Sequence, residues 1–178
     1  MNGFMLLTIT TTHQPARDLG FLLHKHPDRL QSFPLSFGQA HVFYPSADED
    51  SCTAALLLNI DAVGLVRTGR GQEAVTDQYV NDRPYTVSSF MSVALAQVFG
   101  TALAGRCTAR PELALTPIAL QATLAVLPCN GGASLIRRLF QPLGYTMSIE
   151  GTLLDDHFPE WGNSPYYTVT LTATLPLH

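Results

Sequence analysis

The chain has 178 residues, enough for one ordinary domain or two small ones and for a hydrophobic core that needs no metal or disulfide. Ten Lys+Arg against fourteen Asp+Glu leave a formal net charge of −4, which excludes a basic stripe that grips nucleic acid by electrostatics alone. Only 13% of the residues are charged, about half the usual fraction, so a partner is expected to cover part of the surface.

Met5–Thr12 is short, β-branched and apolar, and predicts a first strand. Pro15-Ala16-Arg17-Asp18 opens a helix with proline in its tolerated first turn. Leu19, Leu22 and Leu23 give that helix an apolar face, and Pro27 is expected to end it, since proline disfavours helical geometry at His26. Ser36–Tyr44 alternates and Thr53–Ile60 is nearly continuously apolar, which together predict an antiparallel hairpin with its second strand covered on both faces. Residues 67–82 lack periodicity and read as loop.

A long helix is expected over 88–105, capped by Ser88 or Ser89 and ended by a left-handed Gly105. Met91, Leu95, Val98, Ala102 and Leu103 form one stripe and small residues the other, so this helix is expected to be central and buried nearly all round. Ile118–Leu127 alternates as a strand. Gly131-Gly132 leads into a short amphipathic helix through Leu135, Ile136, Leu139 and Phe140, ending near Pro142 and Gly144. Tyr145–Leu154 and Tyr166–Leu175 are two further strands. The pattern predicts an α+β fold of mostly antiparallel sheets with a long central helix, in two interlocked sub-domains of approximately 1–82 and 107–178 joined by helix 88–105.

Cys52, Cys107 and Cys129 are odd in number with no C-x-x-C spacing, so a reducing, cytoplasmic setting is expected rather than a disulfide framework. The N-terminus shows no signal-peptide pattern. Residues 84–105 carry no charge, yet their serines, glycines, Gln97 and Thr101 favour a buried helix over a membrane span.

Metal chemistry finds little footing. His24 and His26 would point about 200° apart on a helix, and Asp155-Asp156-His157 are adjacent residues that do not converge without a dedicated turn. Arg67-Thr68-Gly69-Arg70-Gly71 has glycines but no helix pattern after it, so it reads as a connection. Gly131-Gly132 does precede a helix and could hold an anion with Arg137 and Arg138, although a tight strand-to-helix turn explains the same residues. No nucleophile with a neighbouring base is evident. Residue chemistry alone therefore indicates a non-catalytic interaction module.

Longer strings go further. Asp18-Leu19-Gly20-Phe21-Leu22-Leu23-His24-Lys25-His26-Pro27-Asp28-Arg29, Gln39-Ala40-His41-Val42-Phe43-Tyr44-Pro45 and Tyr79-Val80-Asn81-Asp82-Arg83-Pro84-Tyr85 are three of them. Phe99-Gly100-Thr101-Ala102-Leu103-Ala104-Gly105-Arg106, Arg137-Arg138-Leu139-Phe140 and Pro142-Leu143-Gly144-Tyr145 are three more. From about Met5 to Pro176 the chain resembles the N-terminal half of the bacterial RNA 3′-terminal ribose 2′-O-methyltransferase of the RNA-repair operon, a relative of the plant hua-enhancer small-RNA methyltransferase.

The resemblance implies a division of labour. S-adenosylmethionine and a divalent metal belong to the C-terminal methyltransferase half, so no catalytic, cofactor or metal residue is expected here. The chain ends at Leu177-His178 before any such motif, and the methyltransferase domain is expected to lie outside it. The N-terminal half engages the bacterial polynucleotide kinase-phosphatase-ligase and activates its RNA ligase, meeting RNA only through the complex and no membrane. Candidate docking anchors are Arg83, Tyr85, Arg137, Arg138, His24 and His26, because Arg and Tyr are over-represented among interface hot spots. Where the family pattern often has an acidic residue after Gly-Gly, this chain has Ala133. The alternative is an RNA-binding module that positions the broken end, which would need Arg67, Arg70, Arg106, Arg110, Arg137 and Arg138 on one face beside Tyr166 and Tyr167.

Overall fold

Among the described residues seven segments form strands that pair antiparallel throughout. The structure, a computed structural model, describes residues 3–61, 84–155 and 157–178, with the backbone alone for Gly3 and residues 84–89. In chain order the elements are β1 (Gly3–Thr11), α1 (Leu19–Leu23), β2 (Gln31–Leu35), β3 (Gly38–Ala47) and β4 (Cys52–Ile60). They continue with α2 (Pro84–Leu103), α3 (Pro111–Ala114), β5 (Ile118–Pro128), α4 (Gly132–Phe140), β6 (Thr146–Leu153) and β7 (Asn163–Leu175). The strand order is β2-β3-β4-β1-β5-β7-β6 in a single sheet. The class expected from the sequence, α+β with antiparallel pairing, is the class found.

Residues paired in register share a face of the sheet. Val42, Leu56, Leu7, Leu124, Val169 and Ile149 make one such row across six strands. The helices all pack on that face. Leu19, Leu23, Met91, Ala94, Val98 and Ala102 of α1 and α2 meet Leu7, Val42, Leu56 and Leu58 in the largest buried cluster. Ile136 of α4 meets Val169 and Leu171 in a separate one. Between them, Leu22 of α1 joins Cys107, Leu113, Ala114 and Ile118. On the opposite face hydroxyls pair across strands, Thr10 with Thr53 at 2.9 Å and Thr123 with Thr170 at 3.1 Å.

Several boundaries differ from expectation for identifiable reasons. α1 stops at Leu23, because His24 turns left-handed (φ 54°, ψ 39°) three residues before Pro27. α2 starts at Pro84, a residue suited to a helix's first turn, so Ser88 and Ser89 lie inside it and do not cap it. Gly105 does adopt the left-handed conformation (φ 67°) just beyond its end. α2 is not central. It lies on one side of the sheet, burying Met91, Ala94, Val98, Phe99 and Ala102 while Ser92, Val93, Gln97 and Leu103 face outward. Strand β3 continues through Pro45 by way of a bulge between Phe43 and Ser46, and the edge strand β2 and the single turn α3 were not foreseen. Among the described residues no helix is long and apolar enough to cross a membrane. The loop-like reading of 67–82, with its Arg67–Gly71 segment, lies outside the described residues.

Candidate functional site

A cavity of about 450 Å³ opens over α1, lined by Arg17, Gly20, Phe21, residues 24–28, Thr108 and Ala109. Its first wall is the chain reversal after α1. The left-handed His24 swings the backbone round, so that His24 N–H bonds Phe21 O at 3.2 Å and Lys25 N–H bonds Gly20 O at 2.9 Å. The returning strand presses on the helix at Gly20, where a Cβ would lie 2.8 Å from Pro27 Cγ and 2.9 Å from Lys25 O. Only glycine fits that approach. Arg17 then pins the far end, donating to both Asp28 carboxylate oxygens at 2.9 and 3.2 Å and to Ala47 O at 3.0 Å.

The second wall is the stretch after α2, stitched on at four points. His24 Nε2 lies 2.7 Å from Arg106 O; a carbonyl only accepts, so this nitrogen carries the proton. Cys107 Sγ donates to Phe21 O at 3.4 Å. Arg110 pairs with Asp18 at 3.2 Å and lies 5.5 Å from the centre of the Phe21 ring. Phe21 itself is 48% exposed, an aromatic face held in place at the mouth.

Charge at the cavity is directed by its hydrogen bonds. His26 Nδ1 accepts from Asp28 N–H at 3.2 Å, which puts the ring proton of the neutral imidazole on Nε2. Lys25 Nζ sits 5.1 Å from the Phe33 ring centre and 5.7 Å from that of Phe99, cation–π distances, and partial burial lowers its pKa. Beneath it the Tyr44 hydroxyl donates to Lys25 O at 3.1 Å. Burial, with a lesser contribution from the nearby Cys52, pushes the Tyr44 phenol above its ordinary value.

The sequence anchors do not form one group. His24 and His26 meet at this cavity, whereas Arg137 and Arg138 are exposed on α4, over the β7–β6 end of the sheet. Arg83 lies outside the described residues, and Tyr85 is placed only by its backbone in the first turn of α2. For the RNA-binding alternative, Arg67 and Arg70 also lie outside the described residues. Of the arginines that are described, Arg110 is committed to Asp18 and Arg137 and Arg138 belong to another element. Gly131-Gly132 forms the tight turn: Gly132 N–H is used by Cys129 O at 3.1 Å, and a Cβ on Gly131 would meet Leu135.

Sequence reasoning missed Arg17, Phe21 and Thr108 as cavity residues. The one signal for Phe21 was its place four residues before Lys25, the chain's single lysine. It also missed the pair Ser32 Oγ and His41 Nδ1, 2.8 Å apart on the edge strand β2 and its neighbour β3. Those residues face each other in register, and cross-strand pairing accounts for the contact. Asp155 and His157 satisfy each other, with His157 N–H on Asp155 Oδ1 at 2.7 Å; Asp156 lies outside the described residues. Among the described residues no group of three or more His, Cys, Asp or Glu could hold a metal ion.

Residues 5–178 match the model of a protein family described as the RNA repair, ligase-Pnkp-associating, region of Hen1. The chain belongs to this family. The resemblance drawn from the sequence strings is thereby confirmed, and the description agrees with the partner it implied. Two solved structures share the fold. One is a chain of the Pnkp1/Rnl/Hen1 RNA repair complex, 14% identical, with a TM-score of 0.54 over 97% of this chain and 38% of that one. The other, also from a Pnkp1/Rnl/Hen1 complex, is 12% identical, with a TM-score of 0.52 over 97% and 38%. This Hen1 region thus spans 38% of the length of the chains it matches. No curated protein matches it in sequence.

Proposed function

We propose that this Hen1 region is a non-catalytic docking domain that activates the RNA ligase of a polynucleotide kinase-phosphatase-ligase during RNA repair. The observation that carries the reading is the match of residues 5–178 to the ligase-Pnkp-associating region. A chain with 13% charged residues and a net charge of −4 suits a protein interface better than a polyphosphate one. Activation follows if the domain binds the adenylation-competent conformation of the ligase more tightly than the resting one. Without that difference in affinity, docking shifts nothing.

In this reading the parent protein methylates the ribose 2′-oxygen of an RNA 3′ end in its remaining part, where S-adenosylmethionine and a divalent metal are held. The described residues do not fit those groups. Their carboxylate–imidazole pairs, Asp155 with His157 and Asp28 with His26, gather no third ligand among the described residues. The test is adenylation of the purified kinase-phosphatase-ligase with and without the 178-residue chain. A rise in the enzyme-adenylate yield is expected; an unchanged yield refutes the proposal.

A further inference from the structure

We propose that the cavity over α1 seats an acidic segment of the partner ligase, one carboxylate lying among Lys25 and His26 with an apolar side chain against Phe21 and Pro27. This deepens the docking reading above and rests on it. The first support is where the cations are. Arg17 and Lys25 line the cavity, and Arg29, Arg106 and Arg110 flank its lining in sequence; these are five of the chain's ten Lys+Arg, and the same stretches carry Asp18 and Asp28. A chain of net charge −4 therefore presents a locally positive rim, which complements an acidic segment and steers its approach.

The second support is what the rim already binds. Arg17 reaches both Asp28 carboxylate oxygens from its single Nη2 and Arg110 Nε holds Asp18, so two arginines near the wall are already paired with carboxylates. Those two arginines are spent. What remains for an incoming group is the Lys25 ammonium, which rests against the Phe33 and Phe99 rings and makes one long hydrogen bond to its neighbour's carbonyl (3.3 Å), and the His26 Nε2–H. That suffices for a single carboxylate but not for a run of phosphates, which needs several free cations. Third, the volume of about 450 Å³ lies near the small end of the range for ligand cavities, room for one or two side chains beside an exposed aromatic ring.

The experiment is a titration of the 178-residue chain with the purified kinase-phosphatase-ligase, followed by the same titration with Lys25→Glu, His26→Glu and Phe21→Ala. Lys25→Glu, which reverses a charge, and His26→Glu, which adds a negative one, are each expected to weaken binding about 10- to 30-fold, and Phe21→Ala is expected to weaken it as well. The variant Glu150→Lys, exposed on β6 at the far edge of the sheet, is expected to bind as the native chain does. Should Lys25→Glu lower the melting temperature, His26→Glu decides, because that side chain is 58% exposed. If the native chain fails to bind, the docking reading fails. If it binds and all three cavity variants bind equally well, the reading stands and the cavity proposal is overturned. Filter binding of a single-stranded RNA to the same proteins supplies the remaining outcome: tight RNA binding lost in these variants would reassign the cavity and overturn it too.

Discussion

Gly20 and Gly100 are both helical glycines, and replacing each with alanine should move stability in opposite directions. At Gly100, inside α2, an added Cβ meets nothing within 4 Å. The substitution then removes only glycine's entropic handicap in a helix, a gain of about 0.5–1 kcal/mol. At Gly20 the same methyl lands 2.8 Å from Pro27 Cγ and 2.9 Å from Lys25 O. Neither atom is the free end of a flexible chain: one belongs to a ring, the other to backbone that also accepts from Tyr44. Overpacking of this kind typically costs about 1–3 kcal/mol. Set against the same helix gain, the net loss is about 1.2 kcal/mol at mid-range and at most roughly 2.5 kcal/mol. With a urea m-value of about 2–3 kcal/mol/M, the unfolding midpoint should fall by roughly 0.4–0.6 M for Gly20→Ala and rise slightly for Gly100→Ala. Both curves can be followed by circular dichroism. A Gly20→Ala midpoint at or above the native one would refute the idea that the 25–27 segment is clamped against α1.

Arg110→Ala should cost about 1–3 kcal/mol in urea unfolding, because it strands an Asp18 side chain that is only 13% exposed. Adding Asp18→Asn should recover part of that loss, and strict additivity in the double-mutant cycle would count against the pairing. The buried Tyr44 phenol gives a pH prediction. Its raised pKa means that the folded state holds this proton at pH values where the unfolded chain, near 10.0, has released it. The stabilisation is complete below pH 10.0 and is lost as pH climbs above it. Tyr44→Phe should therefore flatten the alkaline fall in melting temperature, while costing about 0.5–1.5 kcal/mol at neutral pH through the lost bond to Lys25 O. Equal alkaline slopes in the two proteins would contradict this.

Much of the sheet was legible because period-two alternation leaves a plain signature. Ile118, Leu120, Ala122 and Leu124 announce β5, and Val169 and Leu171 announce β7, each within three residues of its ends. β2 was illegible because Gln31-Ser32-Phe33-Pro34-Leu35 is short and contains a proline, which an edge strand tolerates and a pattern search rejects. The end of α1 was misplaced because nothing in the identity of His24 forecasts a left-handed backbone. α2 reads as buried all round because Ser, Ala and Thr fit a tight helix interface as well as a wet surface, so their hydropathy does not decide. The candidate site was half visible. His24 and His26 could be named from the sequence, but the wall opposite them comes from residues 106–109, and only folding brings Phe21 and Cys107 together across 86 positions.

β1 is the first of the described strands in chain order and it stands in the middle of their sheet. Its Thr11 hydroxyl donates to Ala119 O across 108 positions, and its backbone pairs with β5 on that side. During synthesis β4 can join it early, but its other flank stays bare until the ribosome has released β5. Non-local closure of this kind is slow, and an unpaired strand edge invites foreign pairing in the meantime. A flank of β1 thus stays open to wrong partners for as long as the residues between β4 and β5 take to be made.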